Sequence, residues 1–212
     1  ALYLLFVPYG KEEKHHEAHQ EGKGLTAAQW FLTIGLALVA AVIVLTNVVI
    51  NVRVPGLVEK SGMGSVQTAG LILSTMQLIG IAAGLSFAPL LHYFKENLLT
   101  VAGVVFGLTA IMIGLAPNLL LLSVVTIASG FVYSVSLTAI FHILSERIPS
   151  KSLNQATSIV ILGCSAGATA TTFFLSLISQ FSSQASFIFG VLGSLMVLMA
   201  VLAFGILKKK SA

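Results

Sequence analysis

The sequence predicts an all-α membrane protein, and three observations carry that prediction. Of the 212 residues, 57% are hydrophobic and only 8% charged, against about 25% charged in soluble domains. The mean hydropathy of +1.00 excludes disorder, which combines low hydrophobicity with high charge. Six windows are long, apolar and free of Asp, Glu, Lys and Arg: 29–51, 66–91, 98–116, 119–142, 156–178 and 187–207. Each is long enough as a helix to cross a hydrocarbon core of about 30 Å, at about 1.5 Å per residue. The predicted architecture is a bundle of six transmembrane helices.

Before the first window the chain runs apolar over 1–8, from Ala1 to Pro8. Eight residues make about 12 Å of helix, too short for a crossing. No basic segment precedes the run and no small-residue cleavage site follows it, which excludes a secretory signal. The expectation is the end of a truncated transmembrane helix. Residues 9–28 hold four Glu, three Lys and three His and close on Gly22-Lys23-Gly24. Charge of both signs with flanking glycines predicts a solvated linker. Residues 208–212 form a basic tail.

Basic residues in short loops fix the expected orientation. With the linker inside, nine of the eleven Lys and Arg fall on the cytoplasmic side, against Arg53 and Lys60 outside. Both termini are therefore predicted to be cytoplasmic. Trp30 and Tyr93 stand at the cytoplasmic ends of the first and second helices, where interfacial aromatics belong.

The helices differ in what they carry. The first has Asn47 and Asn51 one turn apart. In the second, Gln67, Gly70, Ser74, Gln77, Gly80 and Gly84 recur every three or four residues as one small and polar stripe. The third has the close-contact motif Gly103-xxx-Gly107 and is otherwise strongly apolar. The fourth repeats the stripe with Ser123, Thr126, Gly130, Ser134, Thr138 and His142. The fifth has Ser158, Ser165, Thr169, Thr172 and Ser176, and the sixth has Gly190 and Gly193 in an apolar background. The third and sixth helices are expected at the periphery.

Such stripes admit two readings. One is close helix packing, with Ser and Thr hydrogen-bonded between helices. The other is a water-filled cavity, because large amides at membrane depth are hard to satisfy in hydrocarbon. On the second reading the candidate cavity residues are Asn47, Asn51, Gln77, Tyr133, Ser136 and Thr138, as hydrogen-bond partners of a solute. His142 and Arg53 are candidates for a gate or proton relay. Arg53 at the outer mouth is also able to attract an anion, or simply to snorkel to the interface.

Several other classes fail on chemistry. Gly163-Cys164-Ser165-Ala166-Gly167 matches the nucleophile pattern of serine hydrolases, but that pattern needs a strand-to-helix elbow with a base and a His. This run lies inside an apolar window, in a chain with no Asp, so no enzyme activity is expected. His15, His16 and His19 cluster in the linker, yet the six windows contain no carboxylate to complete a membrane metal site. No metal or other cofactor is expected. Scattered basic residues form no stripe for nucleic acid. The lone Cys164 permits no intrachain disulfide.

A six-helix unit with a charged linker upstream resembles the C-terminal half of a major facilitator superfamily transporter. The basic turn from Leu91 to Asn97 stands where that superfamily carries a Gly/Asp/Arg/Gly/Arg motif. His92 and Lys95 occupy its basic positions, whereas Leu91 and Phe94 replace its Asp and second Gly. The loop from Ser145 to Lys151 resembles another cytoplasmic turn of the family. The resemblance implies a twelve-helix transporter of which this chain is the second half. Its partners would be the lipid bilayer, a missing N-terminal six-helix half, a small-molecule substrate and, as a candidate, a coupling proton. It implies first and fourth helices lining the cavity, second and fifth flanking it, and third and sixth facing lipid. The expected function is secondary active transport by alternating access, as a drug or metabolite permease in a bacterial plasma membrane. The alternative is a non-transporting membrane scaffold or assembly subunit.

Overall fold

The computed structural model describes residues 25–208. The expected truncated helix, most of the linker with its His cluster, and the tail beyond Lys208 lie outside the described residues. Six α-helices follow one another: α1 (Ala27–Lys60), α2 (Val66–Phe94), α3 (Leu98–Leu115), α4 (Leu119–Arg147), α5 (Ser150–Phe181) and α6 (Ala185–Lys208), with a 3-10 turn at Lys95–Asn97 between α2 and α3. There is no strand among the described residues. By length and composition these helices give five stretches able to cross a membrane, because α2, the 3-10 turn and α3 run on as Val66–Leu115.

Local chemistry sets the ends. Thr26 caps α1 through a capping box, accepting from the Gln29 amide while the Gln29 side chain accepts from the Thr26 N–H. The other end of α1 closes on Gly62 at φ +66°, with Gly62 N–H donating to Glu59 C=O and Met63 N–H to Val58 C=O. That is a Schellman closure, which requires a left-handed residue and so favours glycine. Ser65 and Asn118 cap α2 and α4 through their side-chain oxygens.

Helices run beyond the charge-free windows. The first window ends at Asn51, but α1 continues through Arg53 and Pro55 to Lys60. The fourth ends at His142, but α4 continues to Arg147. Charged residues end an apolar crossing without ending a helix, since Arg, Lys and Glu are good helix formers. Arg53 and His142 therefore lie within helices, not at their ends.

Short connections make successive helices antiparallel. α1, α3 and α5 run from the Thr26 end to the Lys60 end, and α2, α4 and α6 run back. The most extensive packing joins α3 to α6, α1 to α5 and α2 to α4, followed by α3 with α4 and α1 with α6, while α2–α3 and α5–α6 scarcely touch. Exchanging α1 with α4, α2 with α5 and α3 with α6 maps this pattern onto itself. The fold is two three-helix units of opposite direction, an inverted repeat.

Side chains obey the same exchange. A Cβ on Gly107 would lie 2.7 Å from the Gly193 carbonyl oxygen and 2.8 Å from Val197, and one on Gly193 would meet the Gly107 carbonyl and Ile111. Partners four residues apart in each direction are what a two-fold axis between α3 and α6 requires. Likewise Gly103 meets Ala200 and Gly114 meets Phe189. The small-residue motifs of the third and sixth helices thus serve backbone contact.

Candidate functional site

Side chains on α1, α2, α4 and α5 decide what the bundle offers to solutes. α1 is buried over most of its apolar length, whereas α2 and α5 each bury only a few residues. Gly163 and Gly167 seat α5 on α1, where a Cβ would press on the carbonyls of Ala37 and Ala41. The hydrolase-like run is therefore a helix-packing motif in a continuous helix, and Ser165 between the glycines is exposed. On the partner repeat, Gly130 of α4 packs on the Met76 backbone of α2 in the same way.

The polar stripes separate into two kinds. On α4, Thr126 is buried and Gly130 is buried against Met76 of α2. On α2, Gln67, Gly70, Ser74, Gln77 and Gly84 are exposed, and on α5 so are Ser158, Ser165, Thr169, Thr172 and Ser176. These two flanking helices turn polar rows away from the bundle. Some hydroxyls on the inner helices bond to their own helix, whereas those of Thr33 and Thr126 are buried without a partner. Thr46 donates to Val42 C=O, Ser129 to Thr126 C=O and Ser136 to Val132 C=O, at 2.8, 2.6 and 2.8 Å.

The sequence-derived candidates are spread over this arrangement. Asn51 donates through Nδ2 to the Asn47 backbone carbonyl at 2.8 Å and to Asn47 Oδ1 at 3.1 Å. Asn47 is only 6% exposed, and its own Nδ2 is buried without a hydrogen-bond partner. Gln77 and Thr138 are exposed, Thr138 donating to Ser134 C=O at 2.9 Å. Tyr133 is half-buried with its ring 6.1 Å from Phe106 of α3. Ser136 is wholly buried. The structure pairs Asn47 with Asn51, and seats the stripe residue Gly80 of α2 beside Ser134 of α4.

His142 stands 3.4 Å from Glu146 and edge-on to Phe87 of α2, with ring centroids 5.8 Å apart. It lines a small cavity of about 240 Å³ at the Thr26 end together with Lys95, Glu96 and Arg147. There Arg147 reaches Glu96 at 3.8 Å, tying the α2–α3 turn to the end of α4. Trp30 and Tyr93 are exposed, also towards this end. Arg53 belongs to the opposite end. It lines a cleft of about 560 Å³ between α5 and α6 with α1 as its floor, and Lys60, Ser61 and Ser183 share that lining. Sequence reasoning missed those three residues because Lys60 and Ser61 end α1 while Ser183 lies after α5, and it passed over Ser165, Thr169 and Thr172 as cavity residues although their stripe was visible.

The family model of the Major Facilitator Superfamily matches residues 2–212. The chain belongs to that superfamily. No curated protein and no solved structure matches it. Major facilitator proteins are membrane transporters and not enzymes, and with its apolar helices this chain is a multi-pass membrane protein. In the turn between α2 and α3, Lys95 takes φ 49°. That left-handed value is one that glycine adopts freely and lysine does not.

Proposed function

We propose that the chain is the C-terminal half of a secondary transporter that moves a small, uncharged solute by alternating access. The observation that carries this reading is the pair of exposed polar rows on α2 and α5. A row of amides, hydroxyls and bare glycine backbone is costly against hydrocarbon, so these faces take water or protein as neighbour. An N-terminal six-helix half of the same transporter is the partner proposed for them, with the aqueous route between the halves. Gln77, Thr138, Asn47 and Asn51 supply donors and acceptors along that route, and Tyr133 stands deeper. Ser165, Thr169 and Thr172 join them on α5. Ser136, bonded to its own helix, supports packing.

The inverted repeat suits rocking of one half against the other around a midplane site. The distribution of basic residues supports cytoplasmic termini, and the proposed setting is a bacterial plasma membrane. No Asp or Glu lies in the six apolar windows, so a driving proton requires a carboxylate in the other half, or His142 as gate and relay. The intact mass of the native gene product tests the two-half reading. A value about twice 22.2 kDa supports it, and a mass equal to this chain alone contradicts it. A thermal-shift screen of uncharged solutes on that product then names the substrate, and Gln77→Leu should abolish the stabilising shift.

A further inference from the structure

Each repeat leaves a lateral cleft where its second and third helices scarcely touch. One cleft lies between α2 and α3 over α4, is walled by residues such as Leu90, Val101 and Phe131, and has a volume of about 190 Å³ with no polar lining residue. Its counterpart under the repeat exchange lies between α5 and α6 over α1, at the Lys60 end, with about 560 Å³. The fold makes both clefts, but only the second carries cations. Arg53 and Lys60 line it, and no Asp or Glu does.

We propose that this second cleft is a binding site for the phosphate headgroup of an anionic phospholipid. Arg53 Nε is buried without a hydrogen-bond partner, a state that leaves a charged donor set short of an acceptor. Arg53 is only partly exposed, and α1 packs against both α5 and α6, so the unpartnered Nε faces the cleft that these helices form. Ser61 and Ser183 add hydroxyl donors. The N-terminus of α6 opens at Ala185 in the same lining and carries no acidic residue in its first turn, so its dipole adds positive potential.

Depth and wall chemistry select a lipid over a free anion. Arg53 follows directly on the apolar window 29–51, which spans about 34 Å as helix. That places the guanidinium at headgroup level. Below it Leu175, Ile188 and Phe189 give the cleft an apolar wall suited to an acyl chain, between two helices that scarcely touch.

The test uses the full-length gene product in mild detergent and native mass spectrometry with phosphatidylglycerol, phosphatidylcholine and inorganic phosphate as probes. Phosphatidylglycerol is expected to bind selectively, and the double variant Arg53→Gln/Lys60→Gln to bind it about 30-fold more weakly, the loss expected for two surface charges. Arg53→Lys keeps the charge and should keep the selectivity, which separates binding from folding. Equal binding by the double variant, equal binding of phosphatidylcholine, or a folded Arg53→Lys no better than the double variant would each overturn the proposal. Displacement of the lipid by millimolar inorganic phosphate would overturn its lipid source.

Discussion

Gly107 of α3 and Gly193 of α6 face each other across the repeat axis, each standing where a side chain would strike the other's backbone carbonyl. Because the contact is reciprocal, the two positions should respond alike. Gly107→Val and Gly193→Val are each predicted to destabilise the bundle by about 1–3 kcal/mol, the usual range for overpacking. Gly190→Val, one position class away with open space around it, should be close to neutral in its bundle contacts. Thermal unfolding in detergent measures all three.

The Gly163–Gly167 run gives a second, opposite pair of outcomes. Ser165→Ala removes the nucleophile that a hydrolase would need and should leave stability nearly unchanged, weakening solute binding by no more than one hydrogen bond, about 1 kcal/mol. Gly167→Val drives a side chain into the Ala41 backbone and should cost about 1–3 kcal/mol. An activity that vanished with Ser165→Ala while the fold persisted would reopen the enzyme reading.

Asn47 combines burial with an unpartnered amide donor. Replacing it by leucine of similar size removes that donor, and Asn51 keeps its bond to the residue 47 backbone carbonyl. Asn47→Leu is predicted to raise stability by about 1 kcal/mol while lowering solute affinity, the trade-off expected where a site is held short of its stability optimum. Thermal unfolding with and without the screened solute separates the two effects.

Lys95 at φ 49° holds a conformation that costs a non-glycine residue about 1–3 kcal/mol. Lys95→Gly should relieve it and raise thermal stability by about 1 kcal/mol, net of glycine's greater freedom in the unfolded chain. Glu96→Gln in the same turn should change stability by less than about 1 kcal/mol, because its ion pair with Arg147 is solvent-exposed on the Glu96 side.

How much of this was legible in the sequence follows from which physical signal each feature leaves. Composition and charge-free windows located every helix, since crossing hydrocarbon imposes length and apolarity directly. Gly103-xxx-Gly107 announced a close contact that the structure places on α6. The helix ends were less legible. α1 passes through Arg53 and Pro55, and the windows record the apolar crossing and not the hydrogen-bonded helix. The inverted repeat left no readable trace, because its halves share packing partners and not residue identities. The period of the stripes showed that each occupies one face, but not which faces are covered. Thr126 and Gln77 look alike in sequence, yet one is sealed against a neighbour and the other is open. The cleft around Arg53 needed three helices brought together before its cations had a common purpose.

The central claim is that the polar rows of α2 and α5 border an aqueous route, and cysteine accessibility in the membrane-embedded full-length protein tests it most directly. In a Cys164→Ala background, single cysteines at Gln77, Ser165 and Thr169 would be challenged with a membrane-impermeant maleimide, alongside the exposed apolar positions Leu108 of α3 and Leu198 of α6. The account predicts labelling at the first three, with protection by bound solute, and none at the last two. Labelling absent from Gln77, Ser165 and Thr169 in either conformation of the transporter would contradict it.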